Sequence, residues 1–412
     1  MGQKWVRGLI DDGLKSYKCQ DPDDAVAKWK RAVAKASDKQ DRFEALGYLA
    51  WAHCEWGKYR DMLQYSVKQI DLANEANNGD MRALAYLNLA RSNEKLCEYH
   101  KAISYCRHAL SQATNNNRTI GQVYLCLGNA YVGFSDYQKA FEYIHKSLQL
   151  AQKCQDKSLE CNTYGSLGDL YLLLKDYDKA LQFHLKGVEL VNKFGDEWCP
   201  KFHTLARLNL AGPYRKLGKL NVSLECTEDA MKLALHLGDR SVQSRCLCLF
   251  ADIHRDRRDY ERALPRYEAA LNISTEIGDK IGQIRVLSGM AKNMMMRRQY
   301  CQALEYNHRA LEIAETVGNR MKAMRIHWQL EKLYNTLGQY EEAKKYSKMY
   351  KQGIDDLGLS CGICNESIAE KQTDLEPLQC WHLFHANCLE SYSSVSKGCP
   401  DCRRTLVKPV FV

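Results

Sequence analysis

Asp259-Tyr260-Glu261-Arg262-Ala263-Leu264-Pro265-Arg266-Tyr267-Glu268-Ala269-Ala270-Leu271-Asn272-Ile273-Ser274-Thr275-Glu276-Ile277-Gly278-Asp279-Lys280 reads as one amphipathic helix with its own start and stop. Asp259 can accept a hydrogen bond from a free amide of the first turn. Ala263, Tyr267, Ala270 and Leu271 recur at three-to-four spacing and so share one face. Gly278 marks the end, because glycine enters the left-handed conformation without a Cβ clash. Pro265 lies beyond the first turn, which predicts a kink or a delayed start. Upstream, Val242, Cys246, Leu249, Phe250 and Ile253 mark a partner helix, so the unit is a helical hairpin.

The hairpin repeats. Met62, Ala102, Ala140, Ala180, Ser223, Ala263, Ala303 and Ala343 occupy one slot, at intervals of 40, 38, 40, 43, 40, 40 and 40 residues. Three positions earlier stand Tyr59, Tyr99, Tyr137, Tyr177, Leu220, Tyr260, Tyr300 and Tyr340, and this pair is predicted to lock the second helix onto the first. A fixed period of this length is the signature of a solenoid. The predicted fold is therefore all-α, a superhelical solenoid of hairpins. The units resemble tetratricopeptide repeats: Gly128 and Tyr131 with Ala140, and Gly168 and Tyr171 with Ala180, stand where that family keeps them. They are longer than its usual unit of about 34 residues and lack its closing proline, so the lengthened variety is the nearer match.

Composition narrows the class. No apolar run approaches the ~18 residues of a membrane span, and the amino terminus lacks the apolar core of a secretory signal. Of the 18 cysteines, twelve are scattered from Cys19 to Cys301 without pairing spacings. They read as small buried apolar residues of a reducing compartment, which places the protein in the cytosol or on the cytosolic side of a membrane. The net charge of +9 is spread along the chain. Residues 357–412 hold five Lys/Arg and six Asp/Glu, so the repeats carry +10 without a polybasic run. That speaks against nucleic acid as a partner and favours acidic partners or an anionic leaflet.

The chain opens Met1-Gly2-Gln3-Lys4-Trp5-Val6-Arg7. Loss of Met1 would expose Gly2, the acceptor of N-terminal myristoylation, although Val6 replaces the usual Ser or Thr. One myristoyl chain holds a protein to a bilayer only marginally, so a second attachment is required. Gly8 to Asp38 reads as an irregular opening hairpin, with Tyr17, Ala25, Trp29 and Ala32 as its stripe, suited to an array end. Breaks fall at Asn77-Asn78-Gly79-Asp80 and Asn115-Asn116-Asn117. The 43-residue interval predicts a longer connection and a bend across Gly195 to Pro200. The first helix of each unit should line an inner groove fit for partner segments. The single histidines, such as His53, His108, His254 and His308, read as structural.

After a short hinge from Gly353 to Ser360 the chemistry changes. Cys361, Cys364, Cys380, His382, His385, Cys388, Cys399 and Cys402 follow one another with gaps of 2, 15, 1, 2, 2, 10 and 2 residues. Zinc takes four tetrahedral thiolate or imidazole ligands, and Cys-x-x-Cys turns present two at little strain. Eight ligands make two Zn2+ sites, and in a cross-brace Cys361, Cys364, His385 and Cys388 share one ion while Cys380, His382, Cys399 and Cys402 share the other. Such metal binding would fold a segment too poor in apolar side chains to fold alone.

That ligand order resembles the RING finger with two histidines. The resemblance implies a surface for a ubiquitin-conjugating enzyme at Ile363, Pro400 and Arg403, with Arg403 steadying the ubiquitin thioester. Tyr392 stands where the family usually has tryptophan. A RING works by positioning and has no nucleophile of its own.

Three parts are expected: an acylation segment at 1–7, a repeat solenoid at 8–356, and a RING with its tail at 357–412. The combination resembles a family of postsynaptic scaffolds that cluster nicotinic acetylcholine receptors. The stretches from Tyr86 to Glu98, Phe250 to Arg255 and Lys408 to Val412 carry that likeness. It implies a myristoylated Gly2, self-association through the repeats, and binding of receptor cytoplasmic segments toward the later helices. It also implies a link to dystroglycan and the cytoskeleton through the RING, at the cytoplasmic face of the postsynaptic membrane. Two functional classes remain: a non-enzymatic scaffold, and a RING-type ubiquitin or ubiquitin-like ligase whose repeats select substrates.

Overall fold

The computed structural model describes residues 2–18, 21–113, 116–194, 201–368, 370 and 372–409. The connection predicted across Gly195 to Pro200, Asn115 in the second break, Cys19 and the last tail residues lie outside them. Eighteen helices come first among the described residues, in nine hairpins. The first three hairpins are α1 (Gly2–Lys18) with α2 (Pro22–Lys35), α3 (Lys39–Glu55) with α4 (Tyr59–Glu75), and α5 (Gly79–Lys95) with α6 (Tyr99–Gln112). The next three are α7 (Asn117–Phe134) with α8 (Tyr137–Lys153), α9 (Lys157–Leu173) with α10 (Tyr177–Phe194), and α11 (Lys201–Lys216) with α12 (Leu220–His236). The last three are α13 (Arg240–Asp256) with α14 (Tyr260–Glu276), α15 (Lys280–Met296) with α16 (Tyr300–Thr316), and α17 (Arg320–Thr336) with α18 (Tyr340–Asp356). Successive first helices, α1 to α3 and onward to α17, touch one another across the second helices. They therefore lie on the inside of the curve.

Local chemistry sets these boundaries. Asp239, Asp259 and Asp279 accept hydrogen bonds from the amides of Val242, Arg262 and Gly282 at 3.0, 3.3 and 2.8 Å. In the eight hairpins from α3 to α18 the inner turn is left-handed, at Gly57, Cys97, Ser135, Lys175, Gly218, Arg258, Arg298 and Gly338. Only three of these eight are glycine, and each of the others carries a strain of roughly 1 kcal/mol that tertiary packing must offset. The repeat thus conserves backbone geometry more strictly than residue type. Pro265 does not delay α14, which starts at Tyr260 directly after its Asp259 cap. A second proline, Pro213, is accommodated inside α11.

The small-residue slot is buried in all eight units, from Met62 to Ala343. The tyrosine slot is not uniform: Tyr59, Tyr99 and Tyr137 are buried, whereas Tyr340 is 70% exposed. The difference arises because the solenoid winds back on itself. Tyr59 donates to Ser241 Oγ at 3.3 Å, and Ser135 Oγ accepts from the Met321 amide at 3.1 Å. Lys201 bridges Glu55 at 3.4 Å and Asp239 at 2.9 Å, and the Arg325 guanidinium reaches the Leu173 carbonyl. The early hairpin turns are thereby covered by the later inner helices, while the last repeat has no such cover. The scattered cysteines are mostly buried, but Cys154 and Cys301 are exposed.

Two further expectations change. Residues 2–7 form the first turns of α1, and Val6 is 3% exposed against Ile10, Ala32 and Ala45. The segment predicted as a hinge is structured: Gly353 continues α18, and Leu359 is buried in a core shared with the carboxyl-terminal module. That module has a two-stranded antiparallel sheet, β1 (Leu375–Pro377) and β2 (Leu383–His385), pairing Leu375 with His385 and Pro377 with Leu383. A short helix, α19 (Ala386–Ser393), follows β2 directly.

Candidate metal centre

Two matching backbone knuckles build the centre. In the first, the Cys361 amide donates to Glu366 O at 2.9 Å and the Asn365 amide to Cys361 O at 2.8 Å. In the second, the Cys399 amide donates to Arg404 O at 2.7 Å and the Arg403 amide to Cys399 O at 2.8 Å. Asn365 and Arg403 are both left-handed, with φ of 58° and 60°. Each knuckle so turns two sulfur atoms toward one point. The hairpin of β1 and β2 and the start of α19 supply the remaining donors, with Phe384 and Leu389 buried between them.

The result is two clusters. Cys361, Cys364, His385 and Cys388 bring their ligand atoms within 4.8 Å of one another, and so do Cys380, His382, Cys399 and Cys402. His385 Nδ1 lies 3.3 Å from Cys364 Sγ and 3.9 Å from Cys388 Sγ. His382 Nδ1 lies 3.3 Å from Cys380 Sγ and 3.8 Å from Cys399 Sγ. Ligands at 2.0–2.3 Å in a tetrahedron stand about 3.6 Å apart, so these spacings fit a zinc ion. A donor set of three sulfurs and one imidazole nitrogen is also what zinc prefers. The chemistry such an ion supplies is folding free energy.

The module does not stand apart from the solenoid. Asp176, at the start of α10, accepts hydrogen bonds from the Leu375 amide at 2.9 Å and the Lys179 amide at 3.0 Å. Lys179 pairs with Glu376 at 2.7 Å and also donates to the Leu375 carbonyl. Gln138 donates to the carbonyl of Cys380, a member of the second cluster, at 3.0 Å. The ring of His145 lies 5.0 Å from that of Trp381. Burial raises the Asp176 carboxyl, and the two amide donors oppose the rise. None of these solenoid residues carries a motif that the sequence alone would single out.

The other expected site residues are placed as follows. Ile363 and Pro400 are half-buried and Arg403 is exposed, all on the knuckles. The contacts to the solenoid described above run instead through Leu375, Glu376, Cys380 and Trp381. Gly2 is the first residue of α1. Among the described residues no helix is long and apolar enough to cross a membrane.

Fold and site together define a tetratricopeptide-repeat solenoid carrying a zinc-binding RING domain. Residues 119–193 and 250–281 match tetratricopeptide repeat models, and residues 359–403 match a Ring finger domain. Residues 1–80 match the family described as Rapsyn N-terminal myristoylation and linker region. The chain is 46% identical to the 43 kDa receptor-associated protein of the synapse of Gallus gallus and 41% identical to that of Tetronarce californica, each over 100% of both chains. It belongs to the family of the 43 kDa receptor-associated protein of the synapse, the rapsyn family. The solved structure of a Rap protein complexed with competence and sporulation factor covers 86% of this chain and 99% of its own, at 13% identity and a TM-score of 0.61. That likeness shows the solenoid fold alone.

Proposed function

We propose that this protein is a peripheral-membrane scaffold of the postsynaptic cell that binds and clusters nicotinic acetylcholine receptors. The observation that carries the reading is the full-length likeness to two proteins named for receptor association at the synapse. In this reading residues 1–7 carry a myristoyl group on Gly2, residues 8–356 form the binding and self-associating solenoid, and residues 357–412 form the RING. Two zinc ions are held, one by Cys361, Cys364, His385 and Cys388, the other by Cys380, His382, Cys399 and Cys402. Their role is structural, and the RING links the assembly to dystroglycan and the cytoskeleton.

Clustering needs more than one contact per molecule. A receptor cytoplasmic segment bound by one chain makes a pair, and only chain-to-chain contacts extend it. A myristoyl chain alone is too weak an anchor, so receptor contacts supply the second hold. A second reading rests on the RING domain itself, whose Ile363, Pro400 and Arg403 are the positions that would meet a ubiquitin-conjugating enzyme. Receptor patches in cells expressing Arg403→Ala, with zinc content verified, separate the two. Patches of normal size support the scaffold, and their loss moves the ligase reading ahead.

A further inference from the structure

A cavity of about 450 Å³ opens on the inner face of the later repeats, lined by residues of α11, α13, α15 and α17. Six cations border it, Arg215, Lys216, Arg255, Arg258, Lys292 and Lys332, against one bordering carboxylate, Asp256. The two arginines of the inner helices are compensated. Arg215 pairs with Asp252 at 3.1 Å and Asp256 at 2.6 Å, and Arg255 pairs with the same carboxylates at 2.5 and 3.0 Å. The lysines are not: among the described residues neither Lys216 nor Lys292 has an ion-pair partner, and Lys332 lies over the Trp328 ring at 3.8 Å.

Helix dipoles do not absorb the excess. α11, α13 and α15 end at this rim, each contributing roughly half a negative charge. Together with Asp252 and Asp256 they still leave two to three positive charges over. Desolvation by the cavity walls, and then crowding by Arg215, Lys292 and Arg255, push Lys216 down to about 8, and desolvation with Arg255 does the same to Lys292, although both side chains still reach solvent. Lys322, behind them, is pushed to about 7 by burial and by Arg325, Arg285 and Lys292. Arg215, with its side chain only 9% exposed, also leaves its Nε without an acceptor. Cations crowded at a concave surface destabilise the folded chain unless an anion joins them.

We propose that this cavity binds a compact soluble polyanion bearing several phosphate groups, which ties the inner helices of the later repeats together. Its volume is that of a small-molecule site. The early repeats already cover the amino-terminal ends of the same inner helices through the Tyr59–Ser241 and Ser135–Met321 contacts. The far ends of these helices are thus closed, leaving entry from the carboxyl-terminal rim, and the cavity's volume suits a compact ligand over an extended acidic chain.

Inositol hexakisphosphate is the probe, added to the full-length, zinc-loaded protein and followed by calorimetry and thermal melting. The expected result is saturable binding with a rise in melting temperature, weakened about tenfold per lysine removed in Lys216→Ala and in the Lys216→Ala/Lys292→Ala pair. Lys348→Ala, on exposed α18, should bind as the parent does. Inorganic phosphate at equal total charge should bind far more weakly. Equal binding by the double variant, or none by the parent, overturns the proposal. So does tighter binding of a glutamate-rich peptide, which would make the cavity a peptide site. Binding only to vesicles bearing a bisphosphorylated inositol lipid would overturn the soluble ligand. Both lysine side chains stay open to solvent at the mouth of the cavity, so circular dichroism of each variant should match the parent.

Discussion

Replacing Asp176 by alanine tests whether the RING and the solenoid are one folding unit. Asp176 is 1% exposed, and its carboxylate caps α10 at Lys179 while also holding the Leu375 amide of β1. Each hydrogen bond to a charged acceptor is worth about 1.5–3 kcal/mol. Burial of the carboxylate, seen in its raised pKa, offsets part of that. The net loss should be about 2–4 kcal/mol, shared between the cap and the dock. A local loss of 2 kcal/mol raises the open population about 30-fold. Amide hydrogen exchange on the zinc-loaded full-length protein reads this directly. Peptides covering 375–380 and the start of α10 should both exchange at least tenfold faster in Asp176→Ala, with α13 to α17 unchanged. Lys179→Ala, which removes the pairing with Glu376 but not the cap, should speed 375–380 alone. Unchanged exchange at 375–380 in both variants would show that the dock rests elsewhere and refute the reasoning.

Further outcomes follow from the same contacts. Cys361→Ala or His385→Ala, or a strong chelator, should unfold the RING and bare the α8–α10 face while helical circular dichroism falls only slightly; metal analysis of the parent should find two zinc ions per chain. Gly2→Ala should abolish a single added myristoyl mass and move protein to the soluble fraction, and an unmodified parent would tell against acylation. Ala180→Asp puts a carboxylate where Ala180 is fully buried beside Tyr171 and Phe183, at a cost of roughly 3 kcal/mol; it should lose self-association and receptor patches yet keep its zinc. Burial alone would raise the Asp252 pKa, but Arg215 and Arg255 outweigh it and hold the carboxyl well below the usual range. Its stabilisation is therefore complete above the unfolded value of about 4 and erodes as pH falls below it. Melting curves from pH 5 to pH 3 should show a shallower acid loss in Asp252→Asn than in the parent, and equal slopes would refute the assignment.

The hairpins, their period and the metal donors were legible in the sequence because all of them are local. A cap such as Asp259 acts within one turn, a small residue at Ala263 acts across one hairpin, and Cys-x-x-Cys spacing acts within four residues. What escaped was everything that depends on how small rotations between neighbouring repeats add up. No motif at Tyr59 announces that it meets Ser241, 182 residues away. The predicted hinge fails for the same reason: Leu359 is buried in one core that joins the RING's Ile368, Leu375 and Phe384 to the solenoid, a junction that no local stretch announces. The spread of positive charge in the sequence was likewise misleading about space. Arg215 and Arg255 stand 40 residues apart and Lys292 and Lys332 another 40, so the repeat period itself gathers them at one rim. Sequence alone determined what each unit is and which atoms can hold zinc. Tertiary structure decided which units meet, because winding is a long-range sum that no single stretch of chain contains.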